Sequence, residues 1–183
     1  MKKVCVLLAE GFEEVEALTV SDVMRRAGIS CDLVSISDKK ETVSAHNVKI
    51  IADKIFDENN MDYDLIVLPG GLPGATNLAD DKRVIKLLKK QNEENKFIGA
   101  ICAAPLILGR ADLTEGKIMT SYPGFSKYMK GCTYVEDKKV CVDKNIITSR
   151  GPATALPFAY KLLEVLGYEK ESEEISKGML YRS

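Results

Sequence analysis

Cys102 lies in the run F-I-G-A-I-C-A-A-P-L-I-L, residues 97–108, where an apolar strand-like stretch ends at Ile101 and a helix-like stretch begins at Ala103. A chain that turns this sharply from strand to helix strains its corner residue and leaves room only for small residues two positions to either side. Here those are Ala100 and Ala104, so the run reads as a nucleophile elbow with cysteine at the corner. A thiol that leaves the sheet at a helix N-terminus meets unpaired N–H groups and the positive end of the helix dipole, which favour thiolate. Burial as a small apolar residue is the commoner fate of a free cysteine, and the pattern alone does not separate the two readings.

Two other loops offer partners for that thiol. Gly70 and Gly71 follow a strand directly in V-L-P-G-G. They make a tight turn, or they bring the Gly71 N–H beside the sulfur, where with the N–H of Ala103 it forms an oxyanion hole. No G-K-[ST] follows, so this is not a phosphate loop. The acidic cluster Glu13, Glu14 and Glu16 opens a helix. Dipole partnership accounts for Glu13 and Glu14. Glu16 differs because Val15 and Leu18 mark the buried face beside it. A half-buried carboxyl has a raised pKa, and protonated near neutral pH it can donate to a thiolate or exchange a proton with substrate. The single histidine, His46, sits in a polar S-A-H-N loop and reads as a surface residue; the chain lacks the ligand set of a His-rich metal site.

The elements that must position these residues alternate. Strands are predicted over residues 4–9, 31–36, 64–68, 97–101 and 117–121, with a hairpin of 140–142 and 146–148 about Asp143-Lys144-Asn145. Helices are predicted over 13–27 (Val15, Leu18, Val23 and Ala27 on its buried face), 82–94, 103–109, 154–166 and 169–179. Alternating strands and helices imply an α/β fold, a mostly parallel sheet with helices on both faces. Such sheets bind ligands beyond the carboxyl ends of their strands, where residues 10–16, the Pro69-Gly70-Gly71 loop and the Cys102 elbow all fall.

At 183 residues the chain is expected to form one domain, residues 1–183. A formal net charge of −1 gives no reason to expect nucleic acid. No apolar run approaches the ~20 residues needed to span a bilayer, so no membrane association and a cytoplasmic location are expected. The five cysteines are odd in number and show no C-x-x-C, which disfavours a disulfide framework or zinc. Cys5, Cys31 and Cys141 fall in strand-like runs; Cys132 follows Gly131 and is assigned no role.

Five stretches taken together resemble the ThiJ/PfpI superfamily, most closely its Parkinsonism-associated deglycase branch. They are L-L-A-E-G-F-E-E-V-E (7–16), D-V-M-R-R-A-G-I (22–29), V-L-P-G-G-L-P-G-A-T-N-L (67–78), A-I-C-A-A-P (100–105) and T-S-R-G-P-A-T (148–154). The resemblance implies a flavodoxin-like three-layer sandwich, a homodimer, and Cys102 as the reactive cysteine. It also implies Glu16 as the carboxyl partner and Gly71 and Ala103 as backbone donors, with Gly70, Arg26 and Tyr122 at the anion and substrate pocket. Two departures bear on mechanism. The protease-like branch has histidine directly after the nucleophile, where this chain has Ala103, so a peptidase is disfavoured. The deglycase branch often has histidine in a T-x-H-P run, which here is Thr120-Ser121-Tyr122-Pro123; a tyrosine with an ordinary pKa of ~10 is no base at neutral pH.

The expected function is a cysteine-dependent glyoxalase or deglycase that needs no metal or cofactor, acting on a small reactive carbonyl such as methylglyoxal or its early adducts. The alternative is an oxidative-stress sensor or protective protein whose Cys102 is oxidised to sulfinate, with little turnover.

Overall fold

The computed structural model describes residues 2–181. Its strands are β1 (Lys3–Leu8), β2 (Ser30–Ser35), β3 (Glu41–Val43), β4 (Lys49–Ile51), β5 (Lys54–Ile55), β6 (Leu65–Leu68), β7 (Phe97–Ile101), β8 (Ile118–Met119), β9 (Thr133–Tyr134), β10 (Val140–Asp143) and β11 (Ile146–Ser149). Its helices are α1 (Glu14–Arg26), α2 (Gly74–Asp80), α3 (Lys82–Glu93), α4 (Pro105–Arg110), α5 (Ala155–Val165) and α6 (Glu169–Gly178).

Seven strands form one sheet in the order β10-β11-β7-β6-β1-β2-β5, parallel throughout except for the edge strand β10. Because side chains alternate across a strand, β1 sends Cys5 and Leu7 to one face and Val4, Val6 and Leu8 to the other. The first face packs on α2, α3 and α4 through Leu78, Leu88 and Ile107. The second packs on α1 and α5 through Val20, Met24, Phe158 and Leu162. Each such side chain contributes roughly 1.5–3 kcal/mol by leaving water. The result is the three-layer, flavodoxin-like α/β sandwich expected, with both faces of a parallel sheet covered.

Several predicted elements differ. Residues 117–121 do not join the main sheet; only Ile118 and Met119 are extended, and they pair with β9. The helix predicted from Ala103 starts at Pro105, because the chain spends Ala103 and Ala104 in turning. Helix α2 and the β3–β4 hairpin went unforeseen. In α1 the buried residues are Glu16, Ala17, Val20, Ser21, Val23 and Met24, whereas Val15 is 47% exposed and Leu18 half-buried. The small Ala17, not Val15, therefore sits on the packed side of the first turns, and this rotation draws Glu16 fully inside.

Candidate active site

Cys102 stands at the carboxyl end of β7 with φ +64°, the left-handed region that costs an L-residue roughly 1–2 kcal/mol. Neighbouring backbone holds the strain. The Cys102 N–H donates to the Ser149 carbonyl at 3.0 Å, the Tyr122 N–H donates to the Cys102 carbonyl at 2.8 Å, and the Ala104 N–H closes the turn on Ile101 at 3.0 Å. Ala100 and Ala104 are completely buried on either side, the small-residue condition read from the sequence.

The 69–71 loop crosses directly over this corner. A Cβ at Gly70 would lie 2.7 Å from Cys102 Cβ, 2.9 Å from Glu16 Oε2 and 3.0 Å from the Ala103 nitrogen. Only glycine admits that approach. The loop is tied to the start of α1 by the Glu13 N–H donating to the Gly70 carbonyl at 3.0 Å. All three loops expected at this end of the sheet therefore meet.

The backbone N–H groups of Gly71 and Ala103 both face the Cys102 sulfur. The Glu16 carboxylate accepts the Gly70 N–H at Oε2, 2.7 Å. Its Oε1 is buried without a conventional partner, and the carboxyl's other neighbour is the Cys102 thiol. Burial raises the Glu16 pKa to about 7, with a smaller push from the Glu13 carboxyl; the Gly70 N–H and the thiol pull it down. Burial, followed by the Glu16 carboxylate, pushes the Cys102 thiol up to about 12, and the two N–H donors only partly offset this. Helix α4 has six residues and begins only at Pro105, and burial and the Glu16 carboxylate push the thiol upward, against the thiolate expected at a helix N-terminus. Thiolate at Cys102 requires Glu16 to hold the proton, so the pair shares one proton.

Tyr122, placed at the site by its main-chain bond to Cys102, has a half-exposed ring that lies over Gly151 and stands edge-on to Phe125, centroids 6.4 Å apart. Arg26 is not brought to the thiol within this chain. It lies on the last turn of α1, ten residues and about 15 Å beyond Glu16, bonded to Asp22 at 2.7 Å. His46, at the β3–β4 turn, reaches Glu14 at 2.9 Å and lies 3.9 Å from Glu13. Among the described residues these three form the one group of side chains close enough to share a metal ion, and it is not part of the thiol site. Cys5, Cys31 and Cys141 are buried, and Cys132 is half-buried against the core. Sequence reading gave Ser149 no role of its own, although its carbonyl anchors the elbow; the only signal was the T-S-R-G-P-A-T stretch.

The profile of the DJ-1/PfpI family matches residues 2–165. The chain is 38% identical over 181 residues to Protein dj-1beta of Drosophila melanogaster, covering 98% of this chain and 97% of that one. It is 32% identical over 178 residues to a Caenorhabditis elegans protein named glutathione-independent glyoxalase DJR-1.2, covering 96% and 95%. The solved structure of oxidized Toxoplasma gondii DJ-1 superposes with a TM-score of 0.94 at 35% identity over 100% of both chains.

Proposed function

The chain belongs to the DJ-1/PfpI family, and from that premise we propose that it is a cysteine-dependent enzyme of reactive carbonyls, glyoxalase- or deglycase-like, acting on methylglyoxal or its early adducts with amines and thiols. One observation carries the reading: a thiol flanked by two backbone N–H donors and by a carboxyl that exchanges its proton near neutral pH. The name of the Caenorhabditis elegans relative supports it.

In this mechanism Glu16 takes the thiol proton as Sγ adds to the aldehyde carbon. A C–S bond forms, and the charge moves two bonds, from sulfur to the carbonyl oxygen. The N–H groups of Gly71 and Ala103, which face the sulfur at rest, follow it there and stabilise the oxyanion. Glu16 then returns its proton to that oxygen. The hydrogen on the former aldehyde carbon passes as a proton to the adjacent carbon through an enediol, giving a thioester, and water cleaves the thioester to lactate. Methylglyoxal plus water becomes lactate with no net redox change. Gly70 admits the loop to the thiol, and the Tyr122 N–H holds the Cys102 carbonyl. Arg26, distant within one chain, can hold a substrate anion only from a second copy. The exposed Val15, Val48 and Ile51 on α1 and the β3–β4 hairpin support that homodimer.

Oxidation of the same thiol is the second reading, favoured by a protonatable carboxyl beside the sulfur. Two peroxide molecules would each deliver one oxygen and leave as water, and Glu16 would hydrogen-bond the sulfinate. One experiment tests both: steady-state lactate formation by wild type and Cys102→Ser, run beside intact mass after peroxide. Lactate formation that disappears in Cys102→Ser is the expected result. A retained rate overturns the enzyme reading, and lactate-silent protein that gains two oxygens at Cys102 leaves the sensor.

A further inference from the structure

We propose that Thr154 is a positioning residue for Cys102: its hydroxyl, acting through Ser149, locks the end of β11 that holds the elbow in its strained conformation. The proposal names what keeps the reactive thiol in place, and it rests on the reading above for Cys102 being the reacting group.

Both main-chain polar groups of Cys102 lean on the last two residues of β11. The Cys102 N–H donates to the Ser149 carbonyl at 3.0 Å. The Cys102 carbonyl accepts the Tyr122 N–H, and the segment carrying Tyr122 is tied to the same strand by the Thr120 N–H, which donates to Thr148 Oγ1 at 3.0 Å. A corner at φ +64° persists only while its surroundings over-determine it. If it relaxed, the sulfur would leave the Gly71 and Ala103 N–H groups and the Glu16 carboxyl that now surround it. Whatever fixes Ser149 therefore bears on the chemistry.

Thr154 stands at the head of α5, where a threonine hydroxyl ordinarily accepts an N–H of the first helical turn. Here it makes no such cap. It faces back instead: Thr154 Oγ1 accepts the Arg150 N–H at 3.2 Å and the Gly151 N–H at 3.0 Å, and lies 2.7 Å from Ser149 Oγ. The direction of that last bond follows from the hydrogens available. The Ser149 hydroxyl spends its one hydrogen on the Lys139 carbonyl at 2.7 Å. Thr154 is therefore the donor to Ser149 Oγ. The Gly151 carbonyl, 2.9 Å from the Thr154 hydroxyl, already accepts the Thr154 N–H at 2.8 Å. Thr154 thus commits its hydrogen and both lone pairs to residues 149–151, and Ser149 is pinned between Thr154 and Lys139, the residue before β10. Ser149 is fully buried, so no water takes the place of a lost partner without cost.

The test follows alkylation of Cys102 by iodoacetamide, read by peptide mass, against pH. Thr154→Val keeps the shape of a half-buried side chain and removes only the hydroxyl. It should slow alkylation at pH 7 by roughly three- to tenfold, the scale of a lost hydrogen bond, and move the rise to higher pH. Thr154→Ser, which restores the hydroxyl, should return the wild-type profile. Ser149→Ala should shift the profile in the same direction, and the double variant Thr154→Val/Ser149→Ala should go little further, because the two hydroxyls act as one support. Thr114→Val is the control: it removes a comparable bond, from Thr114 Oγ1 to the Lys130 carbonyl at 2.6 Å, beyond the C-terminal end of α4. It should lower the melting temperature and leave the profile in place. A wild-type profile in folded Thr154→Val overturns the proposal, as do additive effects in the double variant or an equal shift in Thr114→Val. Should Thr154→Val not fold, Thr154→Ala and Ser149→Ala carry the same comparison. Lactate formation should fall in Thr154→Val through kcat, with KM little changed. Wild type that makes no lactate but shows the alkylation shifts would sink the carbonyl reading and leave Thr154 in its role.

Discussion

Two carboxyl–cysteine neighbourhoods share this sheet, and they behave in opposite ways. On β2, Asp32 pairs across the ladder with Cys5. Its carboxylate accepts the Tyr63 hydroxyl at 2.7 Å and the Lys54 ammonium at 2.7 Å. Burial raises its pKa, but these partners outweigh burial and hold the carboxyl below its usual range. At the other neighbourhood Glu16 is buried with a single backbone donor and no cation, and burial wins. The sulfurs differ too. Cys5 sits inside a strand whose neighbouring N–H groups belong to the ladder, and its thiol is driven well above the ordinary value. Cys102 sits where the ladder ends, so the N–H groups of Gly71 and Ala103 are left for its sulfur. A cation partner fixes a carboxyl in one protonation state; its absence leaves a proton free to move. The difference between the two pairs therefore lies in the missing lysine as much as in the cysteine.

The contrast breaks most visibly at Glu16. In Glu16→Gln, lactate formation near pH 7 should fall by about 100-fold or more, the scale of losing a general acid–base group. The pH dependence of Cys102 alkylation gives the sign. Below about pH 7 the wild-type pair holds two protons; above it the pair holds one, and the thiolate with protonated Glu16 is one arrangement of that state. Alkylation should rise as pH passes upward through about 7, and in Glu16→Gln the rise should move to higher pH. Asp32→Asn should leave the profile where it was. A Glu16→Gln profile still centred near 7 would remove Glu16 from the mechanism.

Stability should show the same opposition with a smaller amplitude. Glu16 binds its proton more tightly folded, about 7, than at its ordinary 4.5. Its stabilising contribution is complete below the unfolded value and is lost as pH rises through about 7. Asp32 is held below 3.8, so its contribution is present above that value and is lost as pH falls through the lowered one. Urea unfolding across pH should therefore lose the neutral-range decline in Glu16→Gln and lose part of the acid-range decline in Asp32→Asn. Identical slopes in wild type and both variants would mean that the two carboxyls do not differ as described.

The sequence made some of this legible for local reasons. The elbow could be read because its requirement, small residues at Ala100 and Ala104, is written within five positions. Helix α3 and strand β7 follow from unbroken periodicity. Helix α2 could not be read: it begins at Pro73-Gly74, and Gly74 is there because a Cβ would strike the Phe12 nitrogen at 2.6 Å, a contact 62 residues away in the chain. The burial of Glu16 was anticipated from Val15 and Leu18, yet the face that buries it carries Ala17 and Val20. Apolar residues lie on both sides of that helix, and only tertiary packing chooses between them. The protonation order of Cys102 and Glu16 was out of reach for a similar reason, since burial sets it and no motif records burial.

The smallest effect concerns Tyr122. We expect Tyr122→His to raise methylglyoxal turnover a few-fold from a low wild-type level. Adding a thiolate to a carbonyl needs little acid help, but moving hydrogen between adjacent carbons needs a group that both takes and returns a proton near neutral pH. Glu16 serves one carbon and must also hold the thiol's proton, so it is committed twice. The residue at position 122 is the natural second group, because its main chain already grips the Cys102 carbonyl at 2.8 Å and its side chain is half-exposed. An imidazole, with an ordinary pKa of ~6.5, accepts and returns a proton near neutral pH. The ring it replaces packs on Gly151 and Phe125 rather than in the core, so the exchange should leave the fold intact. Steady-state lactate formation by wild type, Tyr122→His and the double variant Tyr122→His/Glu16→Gln decides the matter. The gain should appear in kcat, and part of it should survive the loss of Glu16. Fast wild-type turnover that slows with histidine would mean that the site already has its second proton carrier, and that the contrast between a fixed carboxyl and a free one is not what limits the reaction.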